Sequence, residues 1–432
     1  MSPPRLLFAD PEGRLYDHPE LLAAARLGEA VGEPDEAPVP LPAFGRVTSL
    51  PGRLPVGVDP GTGETVVVDR ITVGRRTFIP TAVGAFLQPG WTRTLLPADE
   101  PLPDAPVLPQ WAYTAAGWGE DGPVVWAIHT DTRDHWDPTR YSTPELEGLV
   151  QARLIEDGSN RILRQLKTCA LDYRCFTSQN VFYCRDEAAI PASIMCNARC
   201  VGCISDQPED GPPASHERMD DAPLADEMAR VGIRHLERAP GRTMVSFGQG
   251  CEGEPLTRWK VIEKAIRAMR EATSRGSINI NTNGSLTEGL DALFGAGLDA
   301  VRVSLNSANP SLYAAYYRPI GYDFADVDRS IGVARARGGY VALNLLLFPG
   351  VNDREGEVDA LCDLVARHSV DQVQTRSLCI DPQQYLAVAR GAEVEGDPLG
   401  IPELLRRLRE ARPGLVIGNF ARGLDEREPE AA

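Results

Sequence analysis

From about Ile190 onward the chain alternates between two rhythms of apolar and polar residues. Short apolar runs at Ile190–Ile194, Thr243–Phe247, Ser277–Thr282, Ala300–Leu305, Tyr340–Phe348 and Gln372–Cys379 predict strands. Stretches of helical period lie between them. The clearest is Leu256–Arg275, where Trp259, Ile262, Ile266 and Met269 share one face; others lie near Leu290–Ala296, Ala325–Arg337 and Glu355–His368. Six strands alternating with helices predict an α/β fold, a parallel sheet curled by right-handed crossovers into a partial (β/α)6 TIM-like barrel. Active sites of such sheets gather at the C-terminal ends of the strands. Residues far apart in sequence, from Cys196 to Cys379, are therefore expected to converge there.

The first 165 residues read differently. Prolines crowd short apolar runs such as Thr65-Val66-Val67-Val68, and turn signals such as Asp59-Pro60-Gly61 separate them. This predicts a β-rich N-terminal accessory domain over 1–165. A helix near Thr143–Leu154 leads out of it, with Thr143 as cap and Pro144 at its first position. A cysteine-bearing connector over 166–187, a core over 188–385 and an extension over 386–432 complete the organisation, with a charged tail that is expected to fray.

With 432 residues, 43% of them hydrophobic and 24% charged, the chain has the make-up of a globular protein. It shows no apolar run long enough for a bilayer and no basic-then-apolar start, so a cytoplasmic location and no membrane partner are expected. A net charge of −17 argues against a non-specific nucleic-acid binder, because phosphate is repelled by the average field. In a reducing compartment nine cysteines point to metal ligands or free thiols rather than disulfides.

Three of those cysteines carry chemistry. Cys196, Cys200 and Cys203 form C-x3-C-x2-C just after the first predicted strand. Three closely spaced thiolates can hold three irons of a cubic 4Fe-4S cluster and leave the fourth iron open to another ligand. Structural zinc, the competing reading, normally takes four protein ligands, and the next histidine is His216. Cys169, Cys175 and Cys184 form a looser group before the barrel. They read as an auxiliary iron–sulfur site, as zinc ligands, or as thiols packed as small apolar residues. Cys251 and Cys379 fall near strand ends and are candidates to complete that group or to serve the mouth of the barrel. Cys362 reads as core, and the histidines, His129 and His135 included, as structural.

The cysteine triplet in this setting resembles the radical S-adenosylmethionine (SAM) superfamily. Further motifs follow in that family's order. Glu252-Gly253-Glu254-Pro255 is similar to its Gly-Gly-Glu-Pro turn, with Glu252 where a glycine is usual. Asn281-Thr282-Asn283-Gly284, Ser304-Leu305-Asn306, Tyr317-Arg318-Pro319 and Pro349-Gly350-Val351-Asn352-Asp353 resemble its later strand-end turns. The resemblance implies that Cys196, Cys200 and Cys203 bind the 4Fe-4S cluster. It implies that Gly253, Glu254, Asn283, Ser304, Asn306 and Arg318 position SAM. It also implies one-electron cleavage of SAM to a 5′-deoxyadenosyl radical that abstracts hydrogen from a substrate, fed by a donor such as flavodoxin or ferredoxin. The substrate is not legible: by analogy with family members that carry extra domains a peptide is favoured, with a small molecule open. Two other readings stand beside the enzyme: a non-catalytic iron–sulfur electron-transfer or sensor protein, and a zinc-stabilised binding protein.

Overall fold

The computed structural model describes residues 3–133, 136–209, 211–241, 243–392 and 394–423. His135 and the charged tail over 424–432 lie outside them. The N-terminal region is antiparallel: Arg5–Ala9 sits between Leu15–Ala23 and Ala116–Gly119, and Thr81–Phe86 pairs with both Arg5–Ala9 and Arg46–Ser49. Its apolar side chains form several small clusters, one around Leu7, Ala9, Val83, Ala85 and Val125. Three helices follow, α1 (Leu146–Asp157), α2 (Arg161–Leu171) and α3 (Phe176–Tyr183). Thr143 does not cap α1; its hydroxyl and N–H contact the Tyr183 hydroxyl instead.

The barrel sheet is parallel, and its strands are neighbours in chain order: Asp186–Ile190, Thr243–Phe247, Ser277–Thr282, Ala300–Leu305, Tyr340–Leu347, Gln372–Ser377 and Val416–Gly418. A short seventh strand thus joins the six predicted. The first strand lies earlier than the apolar run Ile190–Ile194 implied. Pro191 ends the pairing, and the strand starts on polar residues because Glu187 faces inward. Helices α4 (Ala225–Arg238), α5 (Trp259–Ala272), α6 (Thr287–Ala296), α7 (Pro310–Tyr317), α8 (Phe324–Ala336), α9 (Glu355–Arg367), α10 (Pro382–Arg390) and α11 (Ile401–Ala411) cover the outside.

Each strand shows two faces. Val245, Ile278, Ile280, Val301, Val303, Leu343, Leu345 and Val373 are buried in one continuous core with the helices. The alternate positions, pointing the other way by the period of two, are polar: Glu187, Ser246, Asn279, Asn281, Arg302, Ser304, Asn344, Gln374 and Arg376. They bond to one another across the lumen. Arg302 Nη2 donates to Glu187 Oε1 at 2.8 Å, Ser246 Oγ donates to the same oxygen at 2.5 Å, and Asn279 Nδ2 donates to Ser246 Oγ at 3.0 Å.

The N-terminal region packs on the last strands of the barrel. Thr92 Oγ1 donates to Thr375 Oγ1 at 2.8 Å, and Asn419 Nδ2 donates to Thr130 Oγ1 at 2.7 Å. Arg53 and Asp381 form an ion pair of 2.6 Å, each side chain no more than 4% exposed. Arg53 also lies 3.4 Å from Asp99, so removing the arginine leaves two buried carboxylates without their cation and costs about 3–5 kcal/mol. Gly28 and Gly350 meet back to back with φ of +61° and +83°, and a Cβ on Gly350 would lie 1.8 Å from Gly28 N. Only glycine permits both the conformation and the approach. Among the described residues no helix is long and apolar enough to cross a membrane.

Candidate active site

The loop bearing Cys196, Cys200 and Cys203 leaves the end of the first barrel strand and is held from three sides. On one side the turn after the second strand pairs with it: Gly253 N donates to Ser193 O at 2.8 Å and Glu254 N to Met195 O at 2.7 Å. A Cβ on Gly253 would fall 2.0 Å from Met195 O, so this glycine is required by contact. On the second side, Arg199 N and Val201 N donate to Tyr317 O and Tyr316 O at 3.0 Å each, and Ile320 N donates to Asn197 O at 2.8 Å. The Tyr317-Arg318-Pro319 segment therefore clamps the cysteine loop, with Arg318 in the left-handed region at φ 48°. On the third side, Asn283 Nδ2 donates to Asn197 Oδ1 at 2.9 Å and Asn197 Nδ2 to Ser285 Oγ at 2.9 Å.

The three thiols share one electrostatic neighbourhood. Burial pushes Cys200 well above its ordinary pKa, and the neighbouring Cys203 and Cys196 add to it. Burial raises Cys196 as well, with Glu254 and Cys203 contributing. Arg218 offsets this field: Nη2 stands 3.9 Å from Cys203 Sγ, while Nε donates to Ser205 Oγ at 3.1 Å and Nη1 to Ile194 O at 3.3 Å. Among the described residues no three Cys, His, Asp or Glu side chains converge on a single metal ion. A cubane places its irons at separate corners, so its thiolates need not meet at one point as in a mononuclear site. Bound metal would also supply the positive charge that these suppressed thiols lack. The residues present therefore fit a cubane. A pocket of about 320 Å³ opens beside Cys200 and Cys203, with Arg199, Gln207, Arg318 and Gln384 among its walls.

The remaining predicted residues fall into two groups. Glu254 is buried behind the loop and fully engaged: Oε1 accepts from Leu256 N at 2.9 Å and from Thr282 Oγ1, and Oε2 accepts from Asn283 N at 2.8 Å. Burial pushes its carboxyl up to about 7, against the pull of these donors. Asn306 is fully buried, donating to Tyr385 Oη at 3.2 Å and Leu312 O at 3.3 Å, so it braces the strand end. Ser304 stays on the lumen face, half-buried, and Arg318 is exposed at the pocket rim. Asn352 and Asp353 serve their own turn, accepting from Phe348 N and Gly350 N at 2.6 Å each.

Among the upstream cysteines the structure redraws the grouping. Cys169 on α2 contacts Cys251 directly, and Cys175 lies within the field of Cys251. Cys184 faces Arg234, Arg238 and Arg153 instead. The sequence pattern marked Glu252 only as a departure from glycine, and passed over Arg218 and the lumen charges. A lone arginine inside the apolar run Val301-Arg302-Val303 was the available signal for the last of these.

Residues 190–362 match the radical SAM superfamily model. That stretch of the chain is a radical SAM domain. Members of that superfamily are enzymes that use a 4Fe-4S cluster and SAM. Three curated relatives are similar over part of the chain. Molybdenum cofactor biosynthesis protein 1 of Dictyostelium discoideum is 29% identical over 42% of this chain and 26% of its own length. GTP 3′,8-cyclase of Limosilactobacillus fermentum is 30% identical over 39% of this chain and 48% of its own. GTP 3′,8-cyclase of Chlorobaculum tepidum is 26% identical over 53% and 63%. The chain thus spans less than two thirds of each of these relatives.

Proposed function

We propose that this radical SAM protein is an enzyme that removes a hydrogen atom from a substrate held in the barrel lumen. The observation that carries the reading is the cysteine loop itself. Three thiols in one field, on a loop clamped by the turns after the second and third barrel strands and by the end of α7, stand at the end of a sheet whose inner face is polar. Cys196, Cys200 and Cys203 would hold the cluster, which supplies the electron that cleaves SAM to methionine and a 5′-deoxyadenosyl radical. Arg218 balances the thiolate charge. Glu252, Gly253, Glu254 and Asn283 fix the loop's position, and Ser304 and Arg318 would meet the cofactor.

Packing of the N-terminal region over the last strands supports the exclusion of water that a primary carbon radical requires. The test is product formation by anaerobically reconstituted protein with dithionite. 5′-Deoxyadenosine should appear, and should vanish when Cys196, Cys200 and Cys203 are replaced by alanine. Equal production by that variant would defeat the reading.

A peptide substrate draws on one further feature. A groove of about 520 Å³ on the N-terminal region is walled by Glu33, Asp35, Glu36 and Asp121 together with several prolines. Carboxylates so placed suit a basic peptide segment. Fluorescence anisotropy with a lysine-rich peptide tests it: saturable, salt-sensitive binding supports a peptide, and its absence favours a small molecule.

A further inference from the structure

The lumen contains a second recognisable element beyond the cysteine site. A pocket of about 410 Å³ reaches from the inner face of the barrel, where Glu187, Arg302 and Arg376 line it, to a wall made by Trp136, Phe176 and Phe420. These rings come from segments before the first strand and after the seventh, so the pocket opens at the gap where the sheet fails to close. Its volume lies within the range of small-molecule sites.

The charges in this pocket do not cancel. Glu187 is already bonded to Arg302 at 2.8 Å and to Ser246 at 2.5 Å. Among the described residues Arg376 hydrogen-bonds only to amide oxygens, Asn344 Oδ1 at 3.4 Å and Gln374 Oε1 at 3.4 Å. With its amide turned over, the Gln374 oxygen accepts instead from Arg302 Nε at 3.3 Å and Ala421 N at 3.2 Å, which leaves Arg376 with still less. The other carboxylate within its field is Asp131, whose Oδ2 accepts from Asn419 N at 3.0 Å and Phe420 N at 3.2 Å. Burial depresses Arg376 to about 10, and the neighbouring Arg302 adds to the effect. A guanidinium kept in a low-dielectric space without a counter-ion is costly, and its planar fork suits a carboxylate or phosphate.

We propose that the lumen takes an anionic group of the substrate, a carboxylate or a phosphate, with Arg376 as its direct partner and the Trp136–Phe420 wall against the apolar or ring portion. The Trp136 and Phe420 rings are parallel at 8° with centroids 5.0 Å apart, a flat stack rather than a loose cluster. This deepens the proposed function by naming the chemistry of the substrate, and it rests on the lumen being the substrate site.

The test measures binding rather than turnover, on the full-length protein with benzoate, phenyl phosphate and neutral benzamide as calorimetric probes. Benzoate or phenyl phosphate should bind at least about tenfold more tightly than benzamide, the scale of a charge-assisted hydrogen bond. The stronger of the two anions identifies the group. Arg376→Gln should weaken the preferred anion by about tenfold or more and Arg376→Lys by less, with SAM affinity unchanged in both. Benzamide binding as well as the anions, no anion binding at all, or anion affinity indifferent to Arg376→Gln would each overturn the proposal. So would SAM affinity falling in step with anion affinity, because Arg376 would then hold the cofactor. Anion binding by protein that never cleaves SAM would instead defeat the enzyme reading and leave the anion site standing.

Discussion

Glu252 Oε2 accepts a hydrogen bond from the backbone N–H of Ser193 at 2.6 Å. The same oxygen accepts from Ala192 N at 2.5 Å, while Oε1 accepts from Gln249 N at 2.8 Å. The residue that departs from the family's glycine thus ties the start of the cysteine loop to the neighbouring turn. Burial pushes its carboxyl up to about 8 although all three donors pull the other way. Glu252→Gln replaces one acceptor oxygen with an NH2 group that faces N–H donors. It should destabilise the protein by about 1–3 kcal/mol and reduce iron retention. Chemical denaturation and iron analysis check this; an unchanged midpoint with full iron would contradict it.

Gly253→Ala tests contact rather than charge. The new Cβ would meet Met195 O at 2.0 Å, and that carbonyl already accepts from Glu254 N. The loop must shift to admit it, moving Cys196, the next residue. We expect folded protein with markedly less iron after anaerobic reconstitution. Iron content equal to wild type would show that the loop yields without consequence.

His235, on α4, shares a 3.0 Å hydrogen bond with the carbonyl of Asp186 at the start of the first barrel strand, and burial lowers its pKa to about 4. Its folded pKa is therefore below its unfolded value near 6.5. The stability it contributes is complete above pH 6.5 and is lost as pH falls through that window toward 4. Relative to His235→Gln, wild-type unfolding free energy should fall by roughly 1.4 kcal/mol per pH unit within the window. Parallel stability curves for the two proteins would refute it.

The contact between Cys169 and Cys251 makes a chemical prediction. Diamide, by accepting two electrons and two protons from two thiols, should link this pair and leave Cys184 free. Peptide mapping by mass spectrometry reads the outcome. A Cys169–Cys184 or Cys175–Cys184 link would overturn the grouping.

Much of the barrel was legible because its strands are bounded by strong signals. Ser277–Thr282 ends at Asn283-Gly284, and Ala300–Leu305 is an apolar run after a left-handed Gly297. The first strand was displaced because its own residues, Asp186 and Glu187, are polar, while the apolar run beyond Pro191 looked more strand-like. The cysteine triplet was readable from its spacing, and Gly253 from the resemblance of its turn to Gly-Gly-Glu-Pro. Arg376 and Arg218 were not. Their roles depend on which carboxylates are already engaged elsewhere, which only the folded arrangement reveals. Asn306 lies just past the strand end at Leu305, where its amide donates to Tyr385 Oη, a partner that no local pattern announces.

Cys196, Cys200 and Cys203 are proposed to hold a cluster with one iron open to SAM. Electron paramagnetic resonance of the dithionite-reduced, anaerobically reconstituted protein, recorded with and without SAM, tests it most directly. A reduced 4Fe-4S signal should appear, change on adding SAM, and be absent from the Cys196→Ala, Cys200→Ala, Cys203→Ala variant. A cluster signal indifferent to SAM, or one that survives in that variant and still responds to SAM, would contradict it.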